Sequence, residues 1–142
     1  MEKGRQTLAK IAETYMQVWN AGKEDILDNL ADEKLNVNYP HFEKTYEGAA
    51  VYKSMLKMTY DYFPDLEITL ERVIPHSKEN CVTVLWQYTG THKNGNLFGV
   101  EPSGKKVTVH GMTLLEIENG LVKSERGVVD NLSLVMELGA FP

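Results

Sequence analysis

The fold is decided by the end of the chain, which reads Val107-Thr108-Val109-His110-Gly111-Met112, then Glu118-Asn119-Gly120, then Glu125-Arg126-Gly127-Val128-Val129-Asp130. The residue types of the outer segments are those of half-buried strands. Asn-Gly between two such segments is the strongest short signal for a hairpin turn. The sequence therefore predicts two antiparallel strands, with a histidine on the first and a carboxylate at the end of the second.

Helical patterns come before strand patterns along the chain. Apolar residues recur at helical spacing from Leu8 to Trp19, a short helix follows Asp25, and a third helix runs from about Gly48 to Phe63. A short strand at 35–39 separates the second and third helices, and the period becomes that of strands from Leu66 onward. This order predicts an α+β fold in which a curved antiparallel sheet wraps three N-terminal helices and leaves a cone-shaped pocket.

Composition narrows the class of protein. The chain of 142 residues suggests a single domain spanning 1–142, and its net charge of −5 argues against binding to nucleic acid. The lone Cys81 excludes an internal disulfide framework and is expected to be a small buried hydrophobe. The first ten residues lack the apolar core of a signal peptide, and no apolar run approaches the roughly 20 residues of a membrane span. We expect a cytoplasmic protein with no membrane partner.

Short motifs for metals, nucleotides and nucleophilic catalysis do not stand out. The histidines lack the close pairing of helical or finger-type metal sites, so the sequence predicts no metal centre. There is no phosphate-binding glycine loop, nucleophile elbow or dinucleotide fingerprint. The histidines considered are His41, His76, His92 and His110.

Aromatic residues offer two interpretations. Trp86, Tyr88 and His92 share one face of a strand because side chains alternate, so they form either core or an aromatic wall for a flat ligand. Tyr15 lies on the apolar stripe of the first helix, where its hydroxyl needs a partner.

The hairpin turn decides whether His110 and Asp130 share a face. A two-residue turn at Asn119-Gly120 places His110 opposite Val129 and turns Asp130 to the other side of the sheet. A three-residue loop with a left-handed Gly120 places His110 and Asp130 on one side. We predict the three-residue form.

The chain resembles the SnoaL-like polyketide cyclases of the nuclear-transport-factor-2-like superfamily. The resemblance implies a cone-shaped α+β barrel that is often dimeric, and intramolecular aldol chemistry by an Asp and a His without a cofactor. It rests on Trp19-Asn20-Ala21-Gly22, Phe63-Pro64-Asp65-Leu66, Tyr88-Thr89-Gly90-Thr91-His92, Phe98-Gly99-Val100-Glu101-Pro102-Ser103-Gly104-Lys105, Glu118-Asn119-Gly120, Asp130 and Glu137-Leu138-Gly139.

Carried over by position, His110 matches the cyclases' histidine and Asp130 their terminal acid. Ser124 and Arg126 stand where many relatives have an acid and then a Trp, while Glu125 is one step out of phase. If Ser124 and Arg126 face the pocket, Arg126 brings a positive charge into it, which suggests an anionic ligand or a pairing with Asp130. The related ketosteroid isomerases share Tyr15, but Tyr39 stands where their base is expected, which disfavours that activity.

These residues suggest a cofactor-independent acid/base enzyme, a homodimer that acts on a small, largely apolar carbonyl compound by aldol-type cyclisation or isomerisation. Asp130, with its pKa raised in an apolar cavity, shuttles a proton, and His110 or Tyr15 binds the enolate oxygen. The alternatives are a non-catalytic small-molecule-binding protein on the same fold and a dimerisation module. The expected substrate-binding residues are Tyr15, His41, Trp86, Tyr88, His92, Met112 and Arg126.

Overall fold

The computed structural model describes the backbone of residues 2–41 and 44–140. The burial of side chains is described from residue 4 onward. These residues form an α+β fold in which helices cover one face of a curved, open sheet. The helices are α1 (Glu2–Tyr15), α2 (Leu27–Leu30), α3 (Ala49–Tyr62) and α4 (Asn131–Leu138), and the strands are β1 (Ala31–Asn38), β2 (Tyr46–Glu47), β3 (Glu67–Pro75), β4 (Cys81–Thr91), β5 (Lys106–Glu118) and β6 (Leu121–Val129). Within this part of the chain, no helix has both the length and the apolar character needed to span a membrane.

The six strands form one sheet in the order β2-β1-β6-β5-β4-β3. Neighbouring strands are antiparallel except β1 and β6, which are parallel, so the expectation of a wholly antiparallel sheet is wrong at this pair. The chain between them contains α3 and four strands, which is ample for the long crossover that parallel neighbours need.

The core lies between the helices and the inner face of the sheet. Strand β4 alternates as its sequence predicts, so that Trp86 and Tyr88 are buried on one side, and His92, the residue after the strand, is buried as well. Helix α1 contributes Ala12 and Tyr15 from one stripe, and the 3₁₀ turn that follows it contributes Trp19. The sheet and the N-terminal helices thus meet as the apolar pattern predicts.

Helix α4 is an element that the sequence interpretation missed. The Asp130 side chain accepts a hydrogen bond from the Ser133 backbone N–H, and Gly139 ends the helix in a left-handed conformation. An Asp before the helix and a Gly after it are recognised helix boundaries. The carboxylate that was assigned to catalysis is therefore a helix cap.

The β5–β6 hairpin has a two-residue turn, so the three-residue prediction is wrong. Asn119 and Gly120 both have positive φ, +54° and +78°, as a type I′ turn requires, and Glu118 pairs with Leu121. One step further on, Ile117 pairs with Val122 but Glu116 pairs with Ser124, which leaves Lys123 as an extra residue in β6. Because of this β-bulge, the residues of β6 after Lys123 exchange faces: those expected to point outward point inward, and those expected to point inward point outward.

Candidate functional site

The bulge buries Glu125. From this point Glu125, Gly127 and Val129 of β6 lie opposite Leu115, Thr113 and Gly111 on the inner face, while Arg126 points outward. Glu125 has no exposed surface, and a fully buried carboxyl requires hydrogen-bond partners or a bound proton.

Three tyrosine hydroxyls surround the Glu125 carboxyl. Tyr15 donates to Oε1 at 2.7 Å, and Tyr52 donates to Oε2 at 3.0 Å. Tyr39 donates to Oε2 in the shortest bond of the group. All three tyrosines are fully buried: Tyr15 comes from α1, Tyr52 from α3, and Tyr39 directly follows β1. The cluster therefore joins the N-terminal half of the fold to the last strand.

Burial raises the pKa of Glu125 above its ordinary value, although the hydrogen bonds from the tyrosines favour the charged form. The pKa values of Tyr15, Tyr39 and Tyr52 are raised as well, first by burial and then by the charge of Glu125. Each of the three hydroxyls therefore holds its proton more tightly than a free tyrosine does, and acts as a donor to Glu125.

A second set of hydrogen bonds extends from Tyr39 to the cavity wall. The Tyr39 hydroxyl lies 2.9 Å from Thr113 Oγ1, and the Trp86 indole N–H donates to the same oxygen at 2.9 Å. Because Thr113 accepts from Trp86, its own hydroxyl proton is free to donate to Tyr39 while Tyr39 donates to Glu125. The orientation of Tyr39 is thus fixed from both sides.

Two glycines make room for these rings. A Cβ added at Gly127 would stand 2.8 Å from Tyr39 Cε2 and 2.3 Å from the Met112 carbonyl oxygen. A Cβ added at Gly111 would stand 2.4 Å from the Trp86 ring. Any larger residue at either position would displace a ring of the site.

A largely apolar cavity of about 170 Å³ lies beside this cluster, and Tyr39 belongs to both. Trp86 stacks on Trp19 with ring centroids 6.4 Å apart and on Tyr88 with centroids 5.9 Å apart, so the three rings form a continuous wall. The cavity is lined by Trp19, Tyr39, His41, Met55, Thr59, Tyr62, Phe63, Trp86, Tyr88, Leu97, Phe98, Val129, Asn131 and Leu134.

The Trp19 indole N–H is a buried donor beside this cavity. It completes no hydrogen bond with the described residues, yet it is close enough to the Glu125 carboxyl to favour its charged form. A buried donor without a partner costs free energy unless a water or ligand accepts from it. The Trp19 ring lines the cavity, and its N–H is a further donor near the Glu125 carboxyl.

Several residues that the sequence singled out lie at this site. Trp86 and Tyr88 form its wall, His41 lies at its edge, and Tyr15 binds the carboxyl from behind. His92 is buried but does not line the cavity; its Nε2–H donates to the Gly95 carbonyl at 2.6 Å, which fixes the loop after β4.

His110 and Asp130 lie outside the cavity, on the opposite face of the sheet. The His110 side chain is 61% exposed, and its Nε2 is 3.6 Å from Glu71 Oε1. Asp130 is bound by the Ser133 hydroxyl and backbone N–H, and these bonds lower its pKa, so the expected rise is wrong. The two residues do share a face, but that face is open to solvent.

Met112 and Arg126 also face outward, contrary to expectation, because they pair with Val128 and Leu114 on the outer side of the hairpin. Both line a depression of about 570 Å³ that is open to solvent. Arg126 therefore brings no charge into the cavity, and the pairing with Asp130 is absent from the described contacts.

The sequence interpretation missed the roles of Glu125, Tyr52 and Thr113. It considered Tyr39 only as the residue that stands where the ketosteroid isomerases have their base. Glu125 was dismissed because plain alternation along β6 buries Ser124 instead. The available signal was chemical: a Glu in an apolar strand, with tyrosines on elements that pack against it, needs several donors if it is buried.

Comparisons with known proteins agree with this fold. A protein from Jannaschia sp. CCS1, provisionally described as a SnoaL-like polyketide cyclase, is 25% identical with a TM-score of 0.77, and the match covers 93% of each chain. TsrD from Streptomyces laurentii is 20% identical with a TM-score of 0.81, covering 96% of this chain and 98% of its own. A phenazine biosynthesis-related protein from Pseudomonas aeruginosa is 16% identical with a TM-score of 0.76, and the match covers 97% of this chain and 90% of that protein.

The last two likenesses show the fold alone. A search of curated protein sequences gives no significant match. Residues 9–138 match the family model described as SnoaL-like polyketide cyclase, which is most of the chain. The chain therefore belongs to the SnoaL-like polyketide cyclase family.

Proposed function

We propose that the protein is an acid/base enzyme that acts on a small, largely apolar carbonyl compound, by aldol-type cyclisation or isomerisation. The observation that carries this proposal is the double position of Tyr39, which lines the aromatic cavity and donates a hydrogen bond to the buried Glu125. A tyrosine so placed connects a substrate in the cavity to a carboxyl that the substrate does not touch.

The proton moves in a relay. The substrate releases a proton from the carbon beside its carbonyl to the Tyr39 oxygen, while the Tyr39 hydroxyl proton passes to Glu125. The C–H bond breaks, one O–H bond forms at each residue as the original Tyr39 O–H bond breaks, and the electron pair moves onto the carbonyl oxygen as an enolate. Return of the proton at a different carbon isomerises the substrate. In the cyclisation, the enolate carbon instead attacks a second carbonyl of the same molecule, and the alkoxide that forms takes a proton from Tyr39 while Glu125 returns its proton to Tyr39.

The enolate oxygen needs a donor, and the Trp19 indole N–H is our candidate because the Trp19 ring lines the cavity and its N–H completes no hydrogen bond with the described residues. A preorganised donor of this kind contributes about 3–4 kcal/mol in other enzymes. Its proximity to Glu125 favours binding the carbonyl next to the relay rather than at the far end of the cavity.

The lining favours a neutral and compact substrate. Among the described lining residues there is no lysine, arginine, aspartate or glutamate, and aromatic rings predominate. Apolar cavities of about 150 Å³ hold a molecule of the size of benzene, and this cavity measures about 170 Å³. A single aromatic ring with a carbonyl substituent matches both its size and its polarity.

Deuterium exchange tests the relay without knowledge of the natural substrate. The probes are acetophenone and its ring-substituted analogues in D₂O, with incorporation at the α-carbon followed by NMR. We expect exchange above the buffer rate, reduced by about 10²-fold or more in Glu125→Gln and in Tyr39→Phe. Glu71→Gln, an exposed carboxylate on β3, is the matched control and should retain the full rate.

A second candidate function is ligand binding without chemistry, which is favoured by the fact that Glu125 itself does not line the cavity. Acetophenone that binds in the cavity by chemical-shift perturbation, yet exchanges no faster than in buffer, supports this function over the enzyme. Exchange that survives in both Glu125→Gln and Tyr39→Phe overturns the relay.

We further propose a homodimer formed through the outer face of the sheet. Met112 and Val128 pair across β5 and β6 there and are 49% and 50% exposed. Met112→Glu should then shift the light-scattering mass from dimer to monomer, whereas Met58→Glu on α3, exposed elsewhere, should leave the mass unchanged. The cytoplasmic location stays a prediction.

A further inference from the structure

The hairpin between β3 and β4 carries a cluster of three different metal-binding side chains. His76, Glu79 and Cys81 each offer one donor atom, and these atoms all lie within 4.8 Å of one another. The sequence spacing gave no indication of the cluster, because the expectation of no metal site considered only pairs of histidines and finger-type patterns.

The hairpin holds the cluster together. Pro75 pairs with Val82, so the next residues, His76 and Cys81, stand opposite each other, and the His76 N–H donates to the Cys81 carbonyl at 2.9 Å. Glu79 lies in the connecting loop and turns back toward the strand, with its Oε2 3.8 Å from the Cys81 sulfur. The imidazole, the carboxylate and the thiol therefore converge from three points of one tight loop.

We propose that this cluster binds Zn²⁺ through the Cys81 sulfur, the His76 imidazole and the Glu79 carboxylate, with water as a fourth ligand. A thiolate combined with an imidazole is a ligand set that suits zinc. Zinc–ligand distances of about 2.0–2.3 Å place tetrahedral donors roughly 3.3–3.8 Å apart. The side chains need to approach by about 1 Å. His76 and Glu79 are both exposed, and His76 exchanges its 3.2 Å contact with the Thr83 hydroxyl for the metal ion.

The charges around Cys81 also favour a cation. Glu116 on β5 pairs with Cys81 across the sheet and lies on the same face. The carboxylates of Glu79 and Glu116 give this end of the hairpin a negative potential, which attracts a divalent cation, and a bound metal ion displaces the thiol proton.

The position indicates a structural role. Cys81 begins β4, whereas the cavity residues Trp86 and Tyr88 lie further along the same strand. A metal ion here would fasten the end of the hairpin and would not reach the proposed relay at Glu125. The two proposals are therefore independent and can fail separately.

The test uses tag-free protein, with Co²⁺ as a spectroscopic substitute and Zn²⁺ in isothermal titration. We expect one Co²⁺ per chain with a thiolate-to-metal charge-transfer band and intense tetrahedral d–d bands, both displaced by Zn²⁺. The charge-transfer band should vanish in Cys81→Ser. Zn²⁺ affinity should fall by at least about tenfold in His76→Ala and in Glu79→Gln, since even outer-shell partners of a metal site are worth about 10–100-fold.

His110→Ala removes an exposed histidine elsewhere and is the matched control, which should leave Zn²⁺ affinity unchanged. Circular dichroism confirms that each variant is folded, and the exposed positions of His76 and Glu79 make them safe to replace. A missing thiolate band, unchanged affinity in Cys81→Ser, or equal losses in His76→Ala and His110→Ala would each overturn the proposal.

Discussion

The Tyr15 hydroxyl in α1 donates a 2.7 Å hydrogen bond to Oε1 of Glu125 in β6, although 110 positions separate the two residues. Both residues are fully buried, so the bond connects the first helix to the last strand in the interior of the protein. A hydrogen bond between buried groups is worth most when its loss leaves the acceptor unsatisfied. The same contact therefore supports the fold and sets the proton affinity of the candidate site.

Replacing Tyr15 by Phe should separate stability from chemistry. The lost donor leaves Glu125 with one partner fewer, and we expect a cost of about 1–3 kcal/mol in the free energy of unfolding by urea denaturation. Acetophenone exchange should fall much less than in Tyr39→Phe, because Tyr15 is not among the residues that line the cavity. An exchange rate as low as that of Tyr39→Phe would place Tyr15 in the relay.

Glu125 should make stability depend on pH in a defined direction. Its pKa is raised above the ordinary 4.5 by burial, so the folded protein retains a proton that the unfolded chain releases. The free energy of unfolding should therefore be highest below that ordinary value and fall as pH rises through the folded pKa.

The check is urea denaturation of wild type and Glu125→Gln at a series of pH values. Gln cannot titrate, and other groups are common to both proteins, so the difference in stability isolates Glu125. We expect the wild type to lose stability relative to Glu125→Gln as pH rises. A difference that stays constant with pH would contradict the raised pKa.

Gly127→Ala should disturb both the fold and the site. The new Cβ would stand 2.3 Å from the Met112 carbonyl oxygen and 2.8 Å from the Tyr39 ring. We expect a loss of about 1–3 kcal/mol in the free energy of unfolding, together with slower acetophenone exchange. Gly4→Ala in α1 is the control, because nothing lies within 4 Å of its Cβ. It should be neutral or stabilise by up to about 1 kcal/mol.

His110→Ala and Asp130→Asn should leave acetophenone exchange unchanged. His110 is largely exposed on the outer face, and Asn caps a helix about as well as Asp. Asp130→Ala removes the cap and should lower Tm in a thermal melt. A folded Asp130→Asn protein that has lost exchange would instead restore the assignment made from the family resemblance.

Asn119→Ala should destabilise the β5–β6 hairpin. Asn119 has a φ of +54°, which asparagine tolerates and alanine does not. We expect a cost of about 1 kcal/mol in the free energy of unfolding, whereas Asn119→Gly should retain the wild-type value. Equal losses in both variants would argue that the Asn side chain, rather than its backbone conformation, holds the turn.

Local patterns were enough to predict most of the elements. The third helix, predicted from about Gly48 to Phe63, lies at Ala49–Tyr62, and the alternation at Trp86 and Tyr88 correctly gave one buried face of β4. These patterns succeed because a helix or strand buries one side at a fixed period. The order of motifs also identified the family, which the match over residues 9–138 confirms.

The site was decided by tertiary structure. The sequence alone determined that an Asn-Gly turn joins two strands and that the second contains Ser124, Glu125 and Arg126. Which of these enters the core depends on one extra residue, Lys123, and on pairing with β5 and β1 on either side. Because side chains alternate with a period of two, a bulge of one residue exchanges the two faces, and no periodicity within β6 reveals it.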